Sequence, residues 1–158
     1  MTTTTAGHRA PLALAGFVAA VAVVAVAGAL ASSNAREVYG SLDLPGWAPP
    51  PWLFGPVWTV LYLMIAVSGW LYWRAGGDRR GLTVYGVGLL LNLAWTPLFF
   101  AAGAYEVALA DIVLLDVAVV VSIMLFARRS RVAAWLQVPY LLWILYASAL
   151  TASIIRLN

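Results

Sequence analysis

Apolar residues fill five long stretches of this chain, and most of the charged residues fall between those stretches. A helix that crosses a lipid bilayer needs about 20 mostly apolar residues. Each stretch is long enough, so the pattern predicts five transmembrane helices, near Pro11–Ala31, Phe54–Trp73, Leu82–Ala102, Tyr105–Phe126 and Val132–Ile155. We therefore expect an all-α integral membrane bundle over residues 11–158, preceded by an N-terminal tail at residues 1–10.

The composition supports a lipid environment and removes most catalytic chemistry. Of the 158 residues, 64% are hydrophobic and only 9% are charged, whereas a typical soluble domain has about 25% charged residues. There is no cysteine, and the single histidine, His8, lies in the predicted tail. Thiolate nucleophiles, Ser–His–Asp triads, zinc clusters and the usual haem ligands are therefore excluded. We expect no metal site and no required cofactor.

The basic residues indicate how the chain is oriented in the membrane. All nine are arginines that cluster at the ends of apolar stretches rather than along one face, so no nucleic-acid partner is expected. In membrane proteins the cytoplasmic loops carry the excess of Lys and Arg. Seven arginines lie in the tail and in the second and fourth segments outside the membrane, against Arg36 and Arg156 on the other side. The N-terminus is therefore predicted to be cytoplasmic and the C-terminus outside.

The longest connection, Ser32–Leu53, is rich in proline and tryptophan. Three successive prolines at residues 49–51 favour a stiff polyproline II path, which has little entropy left to lose on binding. Trp47 and Trp52 flank these prolines. They are either members of an interfacial aromatic belt or parts of a rigid lid over a cavity between the helices.

Three of the predicted helices carry aromatic and small side chains on one face, by three- and four-residue spacing. Such a stripe is typical of plain helix packing as well as of a ligand-binding wall. The amide of Asn92 must be satisfied in hydrocarbon, either as an interhelical clamp or by a ligand. Pro97 and Pro139 are expected to kink their helices. The candidate residues on these faces are Trp58 and Tyr62 in the second helix, Asn92, Trp95 and Phe99 in the third, and Tyr140, Trp143, Ala147 and Leu150 in the fifth.

Two acidic residues, Asp111 and Asp116, lie inside the fourth predicted helix. Five positions apart, they point about 140° from each other on a 3.6-residue helix, so they cannot form a carboxylate dyad. Asp111 is expected near the outer end, either solvated or paired with Arg36. Asp116 is expected near the midplane, where a bare charge is expensive, so it should be protonated or paired.

Four segments of the chain resemble motifs of the TspO/MBR family, which includes translocator proteins and bacterial tryptophan-rich sensory proteins. They are WAPPPWLFGPVWTVLYLM at 47–64, LNLAWTPLFF at 91–100, ALAD at 108–111 and PYLLWILYA at 139–147. The similarity runs in order over roughly Tyr39–Leu150, so the four linked motifs make it specific. Members of the family keep their first helix, which speaks against a signal peptide cleaved after Ala31.

This resemblance implies a five-helix bundle, commonly a homodimer, with a ligand pocket near the first loop. Members of the family bind protoporphyrin IX and related tetrapyrroles, and bacterial members are linked to tetrapyrrole regulation and stress sensing. The sterol-recognition pattern of animal members lacks its tyrosine between Leu150 and Arg156, so sterol binding is not expected. Carried over by position, the pocket would include Trp58, Asn92, Trp95, Trp143 and Ala147.

The expected function is thus a membrane receptor or transporter-like protein that binds a porphyrin or another hydrophobic small molecule, rather than an enzyme. A porphyrin is flat and apolar, so tryptophan faces can stack against it, and Arg36 offers a counter-charge to its propionates. One alternative is light- and oxygen-dependent degradation of the porphyrin, in which Trp58 and Trp143 would act. Further alternatives are a small proton-coupled transporter that uses Asp116, and a regulatory subunit that acts through a partner protein.

Overall fold

A computed structural model describes the backbone of residues 5–158, with side chains described from residue 10 onward. Residues 1–4 of the predicted tail lie outside this range, and α1 begins at Thr5, inside that tail. The described residues contain no strand, which confirms the all-α fold class. They form six α-helices: α1 (Thr5–Ala31), α2 (Ala35–Ser41), α3 (Phe54–Arg74), α4 (Arg79–Thr96), α5 (Tyr105–Ala127) and α6 (Arg131–Leu157).

Five of these helices are long and apolar enough to cross a membrane, as the sequence pattern predicts. The exception is α2, which has seven residues and lies in the long first connection. Around the bundle the long helices follow the order α1, α3, α6, α5, α4 and back to α1. The consecutive helices α3 and α4 are therefore held apart, by α1 on one side and by α6 and α5 on the other. This separation leaves space in the middle of the bundle.

One end of the bundle, which we call the closed end, is filled by stacked aromatic rings. It contains the C-terminal ends of α3 and α5 and the N-terminal ends of α4 and α6. The ring of Tyr72 is fully buried and lies parallel to Phe126, with centroids 3.9 Å apart. Gly77 and Gly81 pack directly on the Tyr72 ring, and a Cβ atom at either position would collide with it. Glycine is therefore required at these two positions.

Asp78 caps the N-terminus of α4 at this closed end. Its carboxylate accepts a hydrogen bond from the Gly81 N–H at 2.9 Å and another from the Tyr72 hydroxyl at 3.1 Å. Both bonds favour the charged carboxylate, so the pKa of Asp78 lies below its usual value. The short connection between α3 and α4 is thus fixed to the aromatic cluster beneath it.

At the other end, α4 does not continue as a regular helix through Pro97. Proline has no N–H to donate to the carbonyl of Leu93, and the chain widens into a π-helical turn over Pro97–Ala101. The Ala102 N–H then bonds to the Pro97 carbonyl at 2.9 Å. A π turn therefore stands at Pro97, where a kink is predicted, whereas α6 stays helical through Pro139, the second predicted kink site.

Candidate functional site

The end of the bundle opposite the closed end encloses a large cavity. Its volume is about 750 Å³, within the range of roughly 300–1,000 Å³ that is usual for small-molecule sites. Residues from all six helices line it. Because α3 and α4 are held apart, the cavity lies between the helices, and part of its lining is exposed at the surface.

Six of the residues predicted from the sequence line this cavity. Trp58 stacks on Tyr62 with ring centroids 5.1 Å apart, so the two rings form one continuous aromatic wall on α3. The other rings come from two further helices, so indoles from α3, α4 and α6 face a single hollow. The six are Trp58, Tyr62, Asn92, Trp95, Trp143 and Ala147.

Two of the three indoles present ring atoms to the cavity and keep their N–H groups away from it. The Nε1 atoms of Trp95 and Trp143 are buried, and neither has a hydrogen-bond partner among the described residues. The Trp143 ring is supported from the side by Phe54, with centroids 6.0 Å apart. The wall is therefore largely apolar and suits a ligand with a broad hydrophobic face.

The floor of the cavity is a hydrogen-bonded clamp centred on Asn92. The hydroxyl of Tyr62 donates to Asn92 Oδ1 at 3.0 Å, and Asn92 Nδ2 donates to the Tyr140 hydroxyl at 3.1 Å. These bonds join α3, α4 and α6. Asn92 thus serves as an interhelical clamp, one of its two predicted roles, while it also lines the cavity.

The other five predicted residues lie outside the cavity lining. Tyr140 lies below the floor, where it holds Asn92. Phe99 is buried against Trp95, with centroids 5.0 Å apart, and Leu150 packs beside Tyr39 and Ile154. Trp47 and Trp52 are exposed, a position that fits the interfacial-belt alternative better than contact with a ligand.

Residues of α1 and several neighbouring side chains that are not predicted from the sequence also line the cavity. The small residues Ala25, Gly28 and Ala29 of α1 line the cavity. They carry no functional group, but their three- and four-residue spacing marks a narrow face that leaves room for a ligand. A Cβ at Gly28 would lie 3.6 Å from Thr96 Oγ1. Besides Arg36, which is expected as a counter-charge, the other lining residues not predicted as ligand contacts are Ser32, Ser33, Ala35, Tyr39, Pro51, Phe54, Gly55, Thr59, Thr96, Phe100, Ile112, Leu115 and Ile144.

A covering segment, residues 35–53, lies over the mouth of the cavity and is fixed by hydrogen bonds. The Tyr39 hydroxyl donates to the Pro49 carbonyl at 3.0 Å, and the Tyr146 hydroxyl donates to the Trp47 carbonyl at 2.8 Å. Burial raises the pKa of Tyr39 to about 12, so its hydroxyl keeps the donated proton at neutral pH. The Tyr39 bond joins two parts of the covering segment, and the Tyr146 bond ties the segment to α6.

The proline run in this segment is only partly extended. Pro50 has φ −65° and ψ 144°, as the polyproline II prediction requires. At Pro51 the prediction is wrong, because a 3₁₀ turn begins there and leads directly into α3. Proline is well suited to the first position of a helical turn, where no N–H donor is needed. Pro51 lines the cavity as a result.

Charged groups are distributed unevenly around the site. Arg36 lies at the rim of the cavity and is exposed, and among the described residues it is the only charged one in the lining. Asp111 and Asp116 are absent from the lining. Asp111 Oδ2 is buried without a hydrogen-bond partner among the described residues, so neither solvent nor Arg36 reaches that oxygen. Asp116 accepts a bond of 2.8 Å from the Ser148 hydroxyl.

Within the described part of the chain, no three His, Cys, Asp or Glu side chains are grouped to hold a metal ion. The functional groups in the cavity lining are aromatic rings, the amide of Asn92, several hydroxyls and the guanidinium of Arg36. This set can bind an apolar ring system with an acidic substituent at the mouth.

Comparison with known proteins extends over most of the chain. A model of the TspO/MBR family matches residues 17–157. A tryptophan-rich protein TspO from Chlorobaculum tepidum is 40% identical over 125 residues, covering 76% of this chain and 78% of the relative. One from Archaeoglobus fulgidus is 37% identical over 93% of this chain and 97% of the relative. The human translocator protein is 34% identical over 76% of this chain and 74% of its own length.

The clamp at the cavity floor gives a stability prediction. Replacing Asn92→Ala removes two interhelical hydrogen bonds, and we expect a loss of about 1 to 2 kcal/mol in the free energy of unfolding. Tyr62→Phe removes only one of the bonds and should lose about half as much. Reversible unfolding in mixed detergent, followed by circular dichroism, measures both.

Asn34→Ala is the matched control, because Asn34 donates to the Phe100 carbonyl at the exposed surface. Its effect should stay within about 0.5 kcal/mol. Equal losses for Asn92→Ala and Asn34→Ala would contradict the role of the clamp.

Proposed function

The chain belongs to the TspO/MBR family of integral membrane proteins, and we propose that it is a receptor for protoporphyrin IX and related hydrophobic ligands. The observation that carries this proposal is the cavity of about 750 Å³ with indoles from three helices on its walls. Trp58, Trp95 and Trp143 offer ring surfaces to a flat apolar molecule, for which stacking is favourable. The role in the cell is then to report or regulate tetrapyrrole levels, including under stress.

Two features support a metal-free ring as the ligand. The part of the chain whose side chains are described contributes no histidine, cysteine or methionine to the cavity lining, so this lining offers no good axial ligand to iron. Arg36 lies at the rim, where the propionate groups of a porphyrin could remain near water while the ring enters the hollow. A charged group at the mouth and rings inside match the two chemical halves of the ligand.

The degradation alternative has one observation in its favour. Both indoles assigned to it, Trp58 and Trp143, line the same cavity, so a bound porphyrin would lie beside two oxidisable side chains. The transport alternative has less support, because Asp116 is bonded to Ser148 and is absent from the cavity lining. We retain the binding function as the proposal and degradation as the second candidate.

The proposal includes a membrane orientation and a partner. The N-terminus is cytoplasmic, as supported by the seven arginines on that side, and the cavity mouth faces outward with Arg36 and Arg156. The protein forms a homodimer in the lipid membrane, as the family resemblance implies. Exposed apolar side chains on the outer helix faces, such as Leu90 and Leu142, can contact either lipid or a second copy.

The binding proposal is tested by filling the cavity. Ala147→Phe places a ring in the space next to Trp143, and we expect protoporphyrin IX to bind at least about tenfold more weakly, since overpacking costs roughly 1–3 kcal/mol. Quenching of tryptophan fluorescence in detergent-solubilised protein measures the Kd. Ala149→Phe, on the exposed side of the same helix, is the control and should bind as the unsubstituted protein does. Equal affinity for the two variants would exclude the cavity as the binding site.

The role of Arg36 is tested by changing the ligand as well as the protein. Arg36→Gln should weaken binding of the diacid protoporphyrin IX by about two- to fivefold, the effect of losing one exposed ion pair. Binding of the dimethyl ester, which has no carboxylate, should not change. Arg156→Gln, at the same end of the bundle but outside the cavity lining, is the control. A parallel loss for acid and ester would show that Arg36 acts through packing rather than through charge.

The orientation is tested with single cysteines, which the chain allows because it contains none. Ser41→Cys lies in the covering segment, and Ala127→Cys lies at the closed end; both positions are exposed. A membrane-impermeant maleimide added to intact cells should label Ser41→Cys and should label Ala127→Cys only after permeabilisation. The reverse pattern would overturn the proposed orientation.

A further inference from the structure

A second, much smaller cavity lies one to two helical turns below the floor of the ligand cavity. Its volume is about 10 Å³, close to the minimum of roughly 10–15 Å³ that one water molecule requires. Ser122, Gln137, Tyr85 and Tyr140 supply its polar lining. The rest of its lining is apolar. A dry cavity is normally lined by apolar groups alone, so the polar side chains among the lining residues make this one suited to a single water.

One of these polar groups lacks any partner. The Ser122 hydroxyl is buried, with the residue only 2% exposed, and it makes no hydrogen bond to a described residue. A serine inside a helix commonly bonds to the carbonyl four residues earlier, but Ser122 does not. Leaving a buried hydroxyl unpaired is unfavourable by about 1–3 kcal/mol. Because Ser122 lines the small cavity, a ligand held there is the partner within reach of this hydroxyl.

The small cavity also separates two hydrogen-bonded chains that run in the same direction. From the ligand cavity, Tyr62 donates to Asn92, and Asn92 donates to the Tyr140 hydroxyl. That hydroxyl still has its own proton to donate. Tyr140 lies in the wall of the small cavity, so the first chain ends with a donor at this site.

The second hydrogen-bonded chain begins at Gln137, one turn before Tyr140 on α6. Gln137 Nε2 donates to the Ser68 hydroxyl at 3.1 Å, and Ser68 donates to the Ala133 carbonyl at 2.7 Å. With its Nε2 engaged, Gln137 has its Oε1 atom available as an acceptor. A donor at Tyr140 and an acceptor at Gln137 thus face one water-sized space.

We propose that one water molecule occupies the small cavity, bonded to Ser122, Tyr140 and Gln137, and joins the two chains into a continuous hydrogen-bonded relay. The relay runs from Tyr62 at the floor of the ligand cavity to the Ala133 carbonyl near the start of α6. Such a water makes about three hydrogen bonds, the usual number for a buried water. The relay connects the ligand cavity with the first turns of α6, beside the basic turn at residues 128–131.

The water site itself is tested without any ligand. A crystal structure at high resolution should show density for one water within hydrogen-bonding distance of Ser122 Oγ. That density should be lost in Ser122→Ala and kept in Ser153→Ala, whose hydroxyl bonds only to its own helix at the Ala149 carbonyl. An empty cavity in the unsubstituted protein, or the same density in Ser122→Ala, would overturn the proposed site.

The relay is tested by NMR through the single glutamine of the chain, Gln137. In protein labelled with ¹⁵N-glutamine, its side-chain amide gives an isolated signal. Tyr62→Phe keeps the ring and removes the first donor, so it should shift this signal. Tyr146→Phe, which removes a hydroxyl bonded to the covering segment, should leave the signal in place.

If the water joins the two chains, the shift of the Gln137 signal caused by Tyr62→Phe must depend on that water. In a Ser122→Ala background, Tyr62→Phe should no longer move the Gln137 signal. A shift of equal size in that background, or no shift in either, would overturn the relay. Neither measurement uses a porphyrin, so the outcome is separate from that of the binding tests.

Discussion

The structure depends on satisfying the amide of Asn92 inside a membrane-spanning bundle. An amide exposed to hydrocarbon is unfavourable by several kcal/mol, so its partners must come from neighbouring helices. Tyr62 and Tyr140 provide them, and the two bonds fix the depth at which α3, α4 and α6 meet. The large cavity lies on one side of this level. On the other side the helices pack around the small polar cavity and the aromatic cluster.

The two ends of the bundle differ because of side-chain volume. At the closed end, glycines at positions 77 and 81 allow the Tyr72 ring to lie against the backbone, so the rings fill the space completely. At the cavity end, α1 contributes small side chains, and the π turn after Pro97 displaces the end of α4 from a regular path. The rings therefore fill the closed end, whereas at the other end the rings of α3, α4 and α6 stand around a space that the small side chains of α1 leave empty. The covering segment lies over this opening and is tied to α6 by the Tyr146 hydroxyl.

Sequence spacing identified helix faces that border the cavity but not the exact residues of its lining. A regular helix places Phe99 on the same face as Asn92, yet the π turn adds residues to each turn and brings Phe100 to the cavity instead. Spacing places Tyr140 on the same helix face as Trp143. In the structure Tyr140 lies one turn deeper in the bundle, where its hydroxyl accepts a hydrogen bond from Asn92, and it does not line the cavity. The α1 residues were missed because small apolar side chains give no chemical signal. Depth along a helix and local changes in helical pitch are set by packing, which spacing alone does not encode.

The sequence by itself determined that the chain forms a bundle of apolar helices, and it located those helices. Lipid excludes unpaired backbone groups, so apolar length is enough to specify a spanning helix. It also identified the aromatic faces, since helical periodicity is fixed. Only the tertiary structure decided the order of the helices around the bundle, the separation of α3 from α4 and the volume left between them. These depend on how side chains from distant parts of the chain fill or fail to fill shared space, and that is a property of contacts rather than of any segment.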